Sequence, residues 1–212
     1  MKLLALETAY DICGAALFED GNLASLEELK TPRQHNIFLA DLVARCLDSG
    51  NCGFGDLDAL AVSNGPGSYT GLRIGNSYSK GVAFGAKLPI IPVPTLLAMA
   101  LSAEDVEMAW LATWSHGDNL YVIGLADGIP GEVKVMTWGE FFEKASGDKI
   151  GAYQLERFEG VNELDIVELC PSASNVGKFT ILNGLVPTED ISSLLPYYFQ
   201  NIQINIKKNA NT

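Results

Sequence analysis

The stretch Ser63-Asn64-Gly65-Pro66-Gly67-Ser68-Tyr69-Thr70-Gly71-Leu72-Arg73-Ile74-Gly75 holds the residues best spaced for chemistry. An apolar run, Leu60-Ala61-Val62, stops there in Gly-Pro-Gly, and a helical pattern leaves it. Pro66 fixes its own φ, while Gly65 and Gly67 can take backbone angles closed to other residues. Ser68 or Thr70 can cap the helix, so backbone N–H groups point outward at a helix N-terminus, which suits an anion. Thr8, at the end of the first apolar run, is a further hydroxyl able to donate to a phosphate. Thr8, Gly65, Gly67 and Ser68 are therefore the candidate nucleotide contacts. The spacing is neither G-x-G-x-x-G nor the G-x-x-x-x-G-K-[ST] phosphate loop. Ser68, His116 and an acid could be drawn as a hydrolytic triad, but Gly-Pro-Gly-Ser-Tyr-Thr lacks the G-x-S-x-G elbow.

Several elements must position these groups. Leu3–Thr8, Cys13–Glu19 and Leu23–Lys30 read as strands, with a hairpin turn at Asp20-Gly21-Asn22. Thr31-Pro32-Arg33-Gln34 reads as a capping box that starts a helix running to about Asp48. His35, Phe38, Leu39, Leu42 and Cys46 share one face of that helix. Asp56–Asn64 is a strand leading into the Gly-Pro-Gly turn. The helix through Ala86 then carries Gly71, Gly75 and Ser79 four residues apart, a stripe with almost no side chain. Such a stripe lets another backbone come close, whether the chain's own sheet or a second protein.

Pro89–Val93 is a short strand and Pro94–Leu101 a helix, after which Ala103–Glu107 is a polar break. The expected lobes are residues 1–103 and 104–212. Beyond the break, Ala109–Thr113, Asn119–Ala126, Glu132–Thr137, Lys149–Tyr153 and Ile166–Leu169 read as strands, Trp138–Ala145 and Ser172–Leu182 as helices. Asn201–Thr212 reads as a frayed tail. Strands alternating with helices call for crossover connections and mixed sheets flanked by helices, an α/β class.

Composition narrows the function. The 212 residues are 48% hydrophobic and 19% charged, an ordered globular balance. Net charge is −12, and residues 101–200 carry most of it, with 5 Lys/Arg against 16 Asp/Glu. A surface so acidic repels phosphate backbones, so unaided binding to nucleic acid is expected to be weak. Cys13, Cys46, Cys52 and Cys170 show no C-x-x-C pair and no metal spacing. Glu7 and Asp11 interrupt the apolar start before a signal peptide could form, and no run reaches the ~20 apolar residues of a membrane helix. A cytoplasmic protein without a membrane partner is the expectation.

Asn64-Gly65-Pro66-Gly67-Ser68-Tyr69-Thr70-Gly71-Leu72-Arg73-Ile74-Gly75 resembles the signature of the bacterial TsaB (YeaZ) family, and weaker similarity covers most of the first hundred residues. The resemblance implies a two-lobed actin-like ATPase (ribonuclease H-like) fold. It implies a non-catalytic subunit that binds and activates TsaD in forming N6-threonylcarbamoyladenosine at position 37 of tRNA. A TsaE-like ATPase is the further implied partner, with tRNA met only through the complex. No cofactor of its own is implied, though ATP or ADP could lie at the partner interface.

Catalytic relatives of TsaD type carry an H-x-x-x-H metal pair, whereas this chain has His35 followed at the second position by Leu39. Fold relatives that hold phosphates usually present an Asp in the first hairpin, where this chain has Glu7 and the bulky Tyr10. Trp114-Ser115-His116 departs from the Asp-Ala-Arg usual in TsaB chains, and Pro196-Tyr197-Tyr198-Phe199-Gln200 varies their Pro-x-Tyr-Leu-Arg close. These departures predict no catalytic and no metal residues. An independent small-molecule kinase or ATPase is the alternative, and it would need a magnesium-binding acid and a second phosphate loop.

The implied partner contact runs through the two N-terminal helices, at His35, Phe38, Leu39, Leu42, Cys46, Gly71, Leu72, Gly75, Tyr78 and Ser79. Left unpaired, such a face would form a homodimer that yields to a heterodimer. If Gly75 faces the partner, Gly75→Leu should leave the fold intact. If it faces the chain's own sheet, the same change should unfold it.

Overall fold

Alternating apolar residues at the start of the chain pair into a sheet with two buried faces. The computed structural model describes residues 1–103, 105–184, 186–188 and 194–197. Strand β1 (Lys2–Glu7) runs antiparallel to β2 (Ile12–Glu19), and β2 antiparallel to β3 (Asn22–Lys30). β4 (Ala59–Ser63) is parallel to β1, with Leu60 opposite Leu4, and β5 (Ile90–Val93) is parallel to β4. The resulting order is β3-β2-β1-β4-β5.

The period of two along these strands decides what packs where. Leu4, Leu6, Cys13, Ala15 and Leu17 join the core formed with helices α1 (His35–Ser49) and α2 (Tyr69–Ala86). Leu3, Ala5, Ala16 and Phe18 join the other core, with α3 (Thr95–Ala100) and the last helix, Ala173–Asn183. Each fully buried leucine contributes roughly 2 kcal/mol, so the sheet is the stable floor on which the first lobe's loops rest.

The second sheet is built from β6 (Trp110–His116), β7 (Asn119–Ala126), the two-residue β8 (Ile129–Pro130), β9 (Lys134–Thr137), β10 (Lys149–Tyr153) and β11 (Asp165–Glu168). β10 is parallel to β6 and β11, while β7 is antiparallel to β6 and β9. Helix α4 (Trp138–Ala145) starts in a true capping box: Glu140 N–H donates to the Thr137 hydroxyl, and Thr137 N–H donates to the Glu140 carboxylate. One sheet face packs Leu120, Val122 and Ile150 against Phe141 and Ala145 of α4. The opposite face brings Leu111, Ile123, Tyr153 and Leu169 against Tyr10, Leu72, Leu96 and Met99, a core that joins the two lobes.

Two expectations are corrected. Thr31 does not cap α1, which begins at His35, and Gln34 in the N-cap position makes no side-chain cap bond. The Thr31 N–H donates to the Asp11 carbonyl and its hydroxyl to Gln34 Oε1, so it closes the β3 ladder and the helix starts a turn later. The last helix, α5 (Ala173–Asn183), follows the second lobe in sequence yet packs on the first sheet. The Glu28 carboxylate of β3 accepts the Ala173 N–H at its N-terminal turn and fastens it there. The tail at 201–212 lies outside the described residues.

Candidate functional site

The Gly-Pro-Gly turn closes against the β1–β2 turn. Ser68 caps α2, accepting the Gly71 N–H at 3.3 Å, and its own N–H donates to the Ala9 carbonyl at 2.7 Å. Beneath them lies Glu7, whose carboxyl accepts the Ala9 N–H and the Ser63 hydroxyl (3.1 Å). Burial pushes this carboxyl up to about 8, outweighing the hydrogen bonds that favour its ionised form. Glu7 is therefore largely neutral at pH 7, and its hydrogen bonds hold the shape of the turn. The sequence marked Glu7 only as a substitute for Asp.

A cleft of about 630 Å³ opens between the lobes, lined among others by Tyr10, Arg33, Gly67, Ser68, Trp114 and Tyr197. Arg33 sits at φ +66° and Gln154, on the far wall, at φ +61°. Asp11 in the cleft lining accepts the hydroxyl of Tyr153 of β10 and also pairs with Lys30 Nζ at 3.2 Å. Tyr10 meets the Tyr153 ring edge-on at 5.5 Å, so three residues couple the lobes. Of the candidate nucleotide contacts, Gly67 and Ser68 line the cleft. Thr8 is fully buried behind α2, and Gly65 is covered by Tyr197. Arg33, Trp114 and Tyr153 were not singled out for a site from sequence. Arg33 was hidden inside the apparent capping box.

His35 is buried, its Nε2 donates to the Ile12 carbonyl at 3.2 Å, and burial lowers its pKa. Leu39 beside it lies in the core. Among the described residues no group of three or more His, Cys, Asp or Glu could hold a metal ion.

Most of the residues expected at the partner contact are buried in the chain itself. His35, Leu39, Leu42 and Cys46 turn inward, as do Gly71, Leu72, Gly75 and Ser79. Gly75 abuts the Thr8 hydroxyl and Val62, and Gly71 abuts the Thr8 carbonyl, so the bare stripe brings α2 close to the chain's own β1 and β4. An apolar helix face satisfied by its own sheet is not available to a second protein. Of the ten positions only Phe38 and Tyr78 remain half-buried, at the edge of the α1–α2 core. Beyond them, Ile37 is 62% and Phe84 87% exposed on the outer side of the two helices.

Two α/β lobes joined through a shared core and facing each other across a cleft define the actin-like ATPase fold. Two Pseudomonas aeruginosa structures cover nearly the whole chain. "YeaZ from Pseudomonas aeruginosa" aligns with a TM-score of 0.70 at 22% identity, covering 93% of this chain and 99% of that one. A protein "with similarity to peptidase YEAZ" aligns at 0.71 and 24%, covering 94% and 99%. Residues 29–123 match the family model "TsaD: tRNA N6-adenosine threonylcarbamoyltransferase". The tRNA threonylcarbamoyladenosine biosynthesis protein TsaB of Escherichia coli K12 is 35% identical over 79% of this chain and 64% of its own length. Its Haemophilus influenzae counterpart is 38% identical over 51% of this chain and 46% of its own. The chain thus spans about half to two thirds of the length of these curated relatives. Together these likenesses bear out the resemblance to the TsaB (YeaZ) family within the actin-like fold. No helix among the described residues is long and apolar enough to cross a membrane.

Proposed function

We propose that this chain is a non-catalytic subunit that binds and activates a TsaD-like enzyme forming N6-threonylcarbamoyladenosine at position 37 of tRNA. The observation that carries the reading is an intact Asn64–Gly75 signature beside an incomplete metal position. His35 is spent on the Ile12 carbonyl, and a core leucine stands where catalytic relatives place their second ligand. A neutral, buried Glu7 occupies the first hairpin, where a phosphate-transferring relative needs a carboxylate. The chain therefore acts through binding and has no turnover of its own.

The binding surface is the outer side of α1 and α2, around Ile37, Phe38, Tyr78 and Phe84. With no partner present, the same side joins two copies of the chain. A TsaE-like ATPase binds the assembled pair, and any ATP or ADP sits at the partner interface. At −12 net charge, the chain meets tRNA only through the complex. The test is to mix the purified chain with a TsaD-like enzyme and follow the complex by light scattering. A stable one-to-one complex supports the reading, and two proteins that stay apart at micromolar concentrations contradict it.

A further inference from the structure

Helix α2 runs against the charge of the chain. The sequence holds 26 Asp and Glu against 14 Lys and Arg, yet Tyr69–Ala86 contains Arg73 and Lys80 and no acid. Lys87 adds a third cation as the C-cap. The three stand seven residues apart, close to two helical turns, so they form one row with about 10 Å from each to the next. Ser77 and Phe84 fall between them at spacings of four and three, which puts all five on one side of the helix. Every one but the half-buried Lys80 is exposed. Beside the row, a Cβ on Gly81 or Gly85 would meet nothing within 4 Å, so the described residues leave this side open.

No acid of the described chain accounts for Arg73. Its guanidinium lies 5.0 Å over the Tyr69 ring and donates to the Tyr69 hydroxyl at 2.8 Å, and it makes no ion pair among the described residues. A cation so near the positive end of a helix gains nothing from the dipole. On α1, by contrast, Arg45 is already matched, 3.4 Å from Glu27 and 3.5 Å from Asp41.

We infer, resting on the reading of the outer side of α1 and α2 as the partner surface, that this row receives an acidic amphipathic helix of the partner. Carboxylates at seven-residue spacing meet the cations, and an apolar side chain meets Phe84. Phosphates would answer the cations but not the exposed phenylalanine between them, and a net charge of −12 repels them. The same row sets the choice of partner. A two-fold contact between copies lays one patch on itself, cation toward cation, whereas an acidic face is attracted. Two copies therefore pair weakly, and the acidic partner displaces one of them.

The salt dependence of two associations of the full chain tests this, one with itself and one with a TsaD-like enzyme. Lowering salt from about 0.5 M to about 50 mM removes screening, which should tighten the complex with the enzyme roughly ten-fold and loosen self-association. At the lower salt Arg73→Glu should weaken the complex roughly ten-fold without weakening self-association. Lys134→Glu makes the same change of net charge on β9 and should leave the complex within about two-fold. Both positions are exposed, so both variants should keep the parent urea midpoint. A complex indifferent to salt and to Arg73→Glu, or weakened as much by Lys134→Glu, would overturn the acidic helix while the partner surface, read through Phe84→Asp, still stood. No complex at any salt would remove both. Tight binding of tRNA by the chain alone, lost in Arg73→Glu, would give the row to phosphate and overturn the inference.

Discussion

Gly75 of α2 lies directly against the Thr8 hydroxyl at the end of β1, with no space for a Cβ between them. This contact makes Gly75 a packing residue of the first lobe. Gly75→Leu should therefore destabilise the isolated chain by about 3 kcal/mol or more, the cost of overpacking the buried contact with the Thr8 and Val62 side chains. Urea unfolding decides it. A variant with the parent midpoint would return the glycine stripe to the surface.

Glu7 makes the stability of the chain depend on pH in a direction opposite to that of most carboxylates. Its carboxyl titrates near 4.5 when unfolded and is pushed up to about 8 in the fold. Between these values the unfolded chain gives up a proton that the folded chain keeps, so stability falls as pH rises through the window. Glu7→Gln keeps an acceptor for Ala9 and Ser63 and cannot ionise. Relative to the parent, it should gain on the order of 3 kcal/mol between pH 4.5 and pH 8. Melts of both proteins across that range check the sign. A parallel pH dependence would contradict it.

Tyr153→Phe removes the hydroxyl that reaches across the lobes to Asp11 and keeps the ring against Tyr10. Loss of one such bond should cost about 1 kcal/mol of stability. Phe substitution also leaves Asp11 with Lys30 as its remaining partner of the two. A chemical-denaturation midpoint that does not move would show that the bond adds nothing to the junction.

Phe84→Asp and Ile37→Asp separate surface from core. Both side chains are exposed, so folding should change by less than about 0.5 kcal/mol. Self-association and capture of a TsaD-like enzyme should both weaken at least ten-fold. Unaltered association of both variants, measured by analytical ultracentrifugation, would remove this side of α1 and α2 as the interface.

The order of elements was legible in the sequence because its periodicities are clean. β7, β10 and α4 fall on the expected residues. The direction in which a face points was not. Leu39, Leu42 and Cys46 give the same pattern whether they meet a partner or their own sheet, and Gly71–Gly75–Ser79 admit either backbone. Only the position of Thr8, fixed by β1 pairing with β4, chooses between them. Thr31-Pro32-Arg33-Gln34 misled because a strand's last hydrogen bond used the residue that looked like a cap. The cleft residues Arg33, Trp114 and Gln154 lie far apart in sequence and meet only through the packing of two sheets.

The central claim is that this chain acts by enabling another protein's chemistry. The direct measurement is threonylcarbamoyl transfer to adenosine 37 of tRNA by a TsaD-like enzyme and its ATPase partner, with and without this chain. The account predicts no product from the chain alone, little without it, and full transfer when it is added, reduced by Phe84→Asp. Equal transfer in its absence, or ATP turnover by the chain alone, would contradict the account.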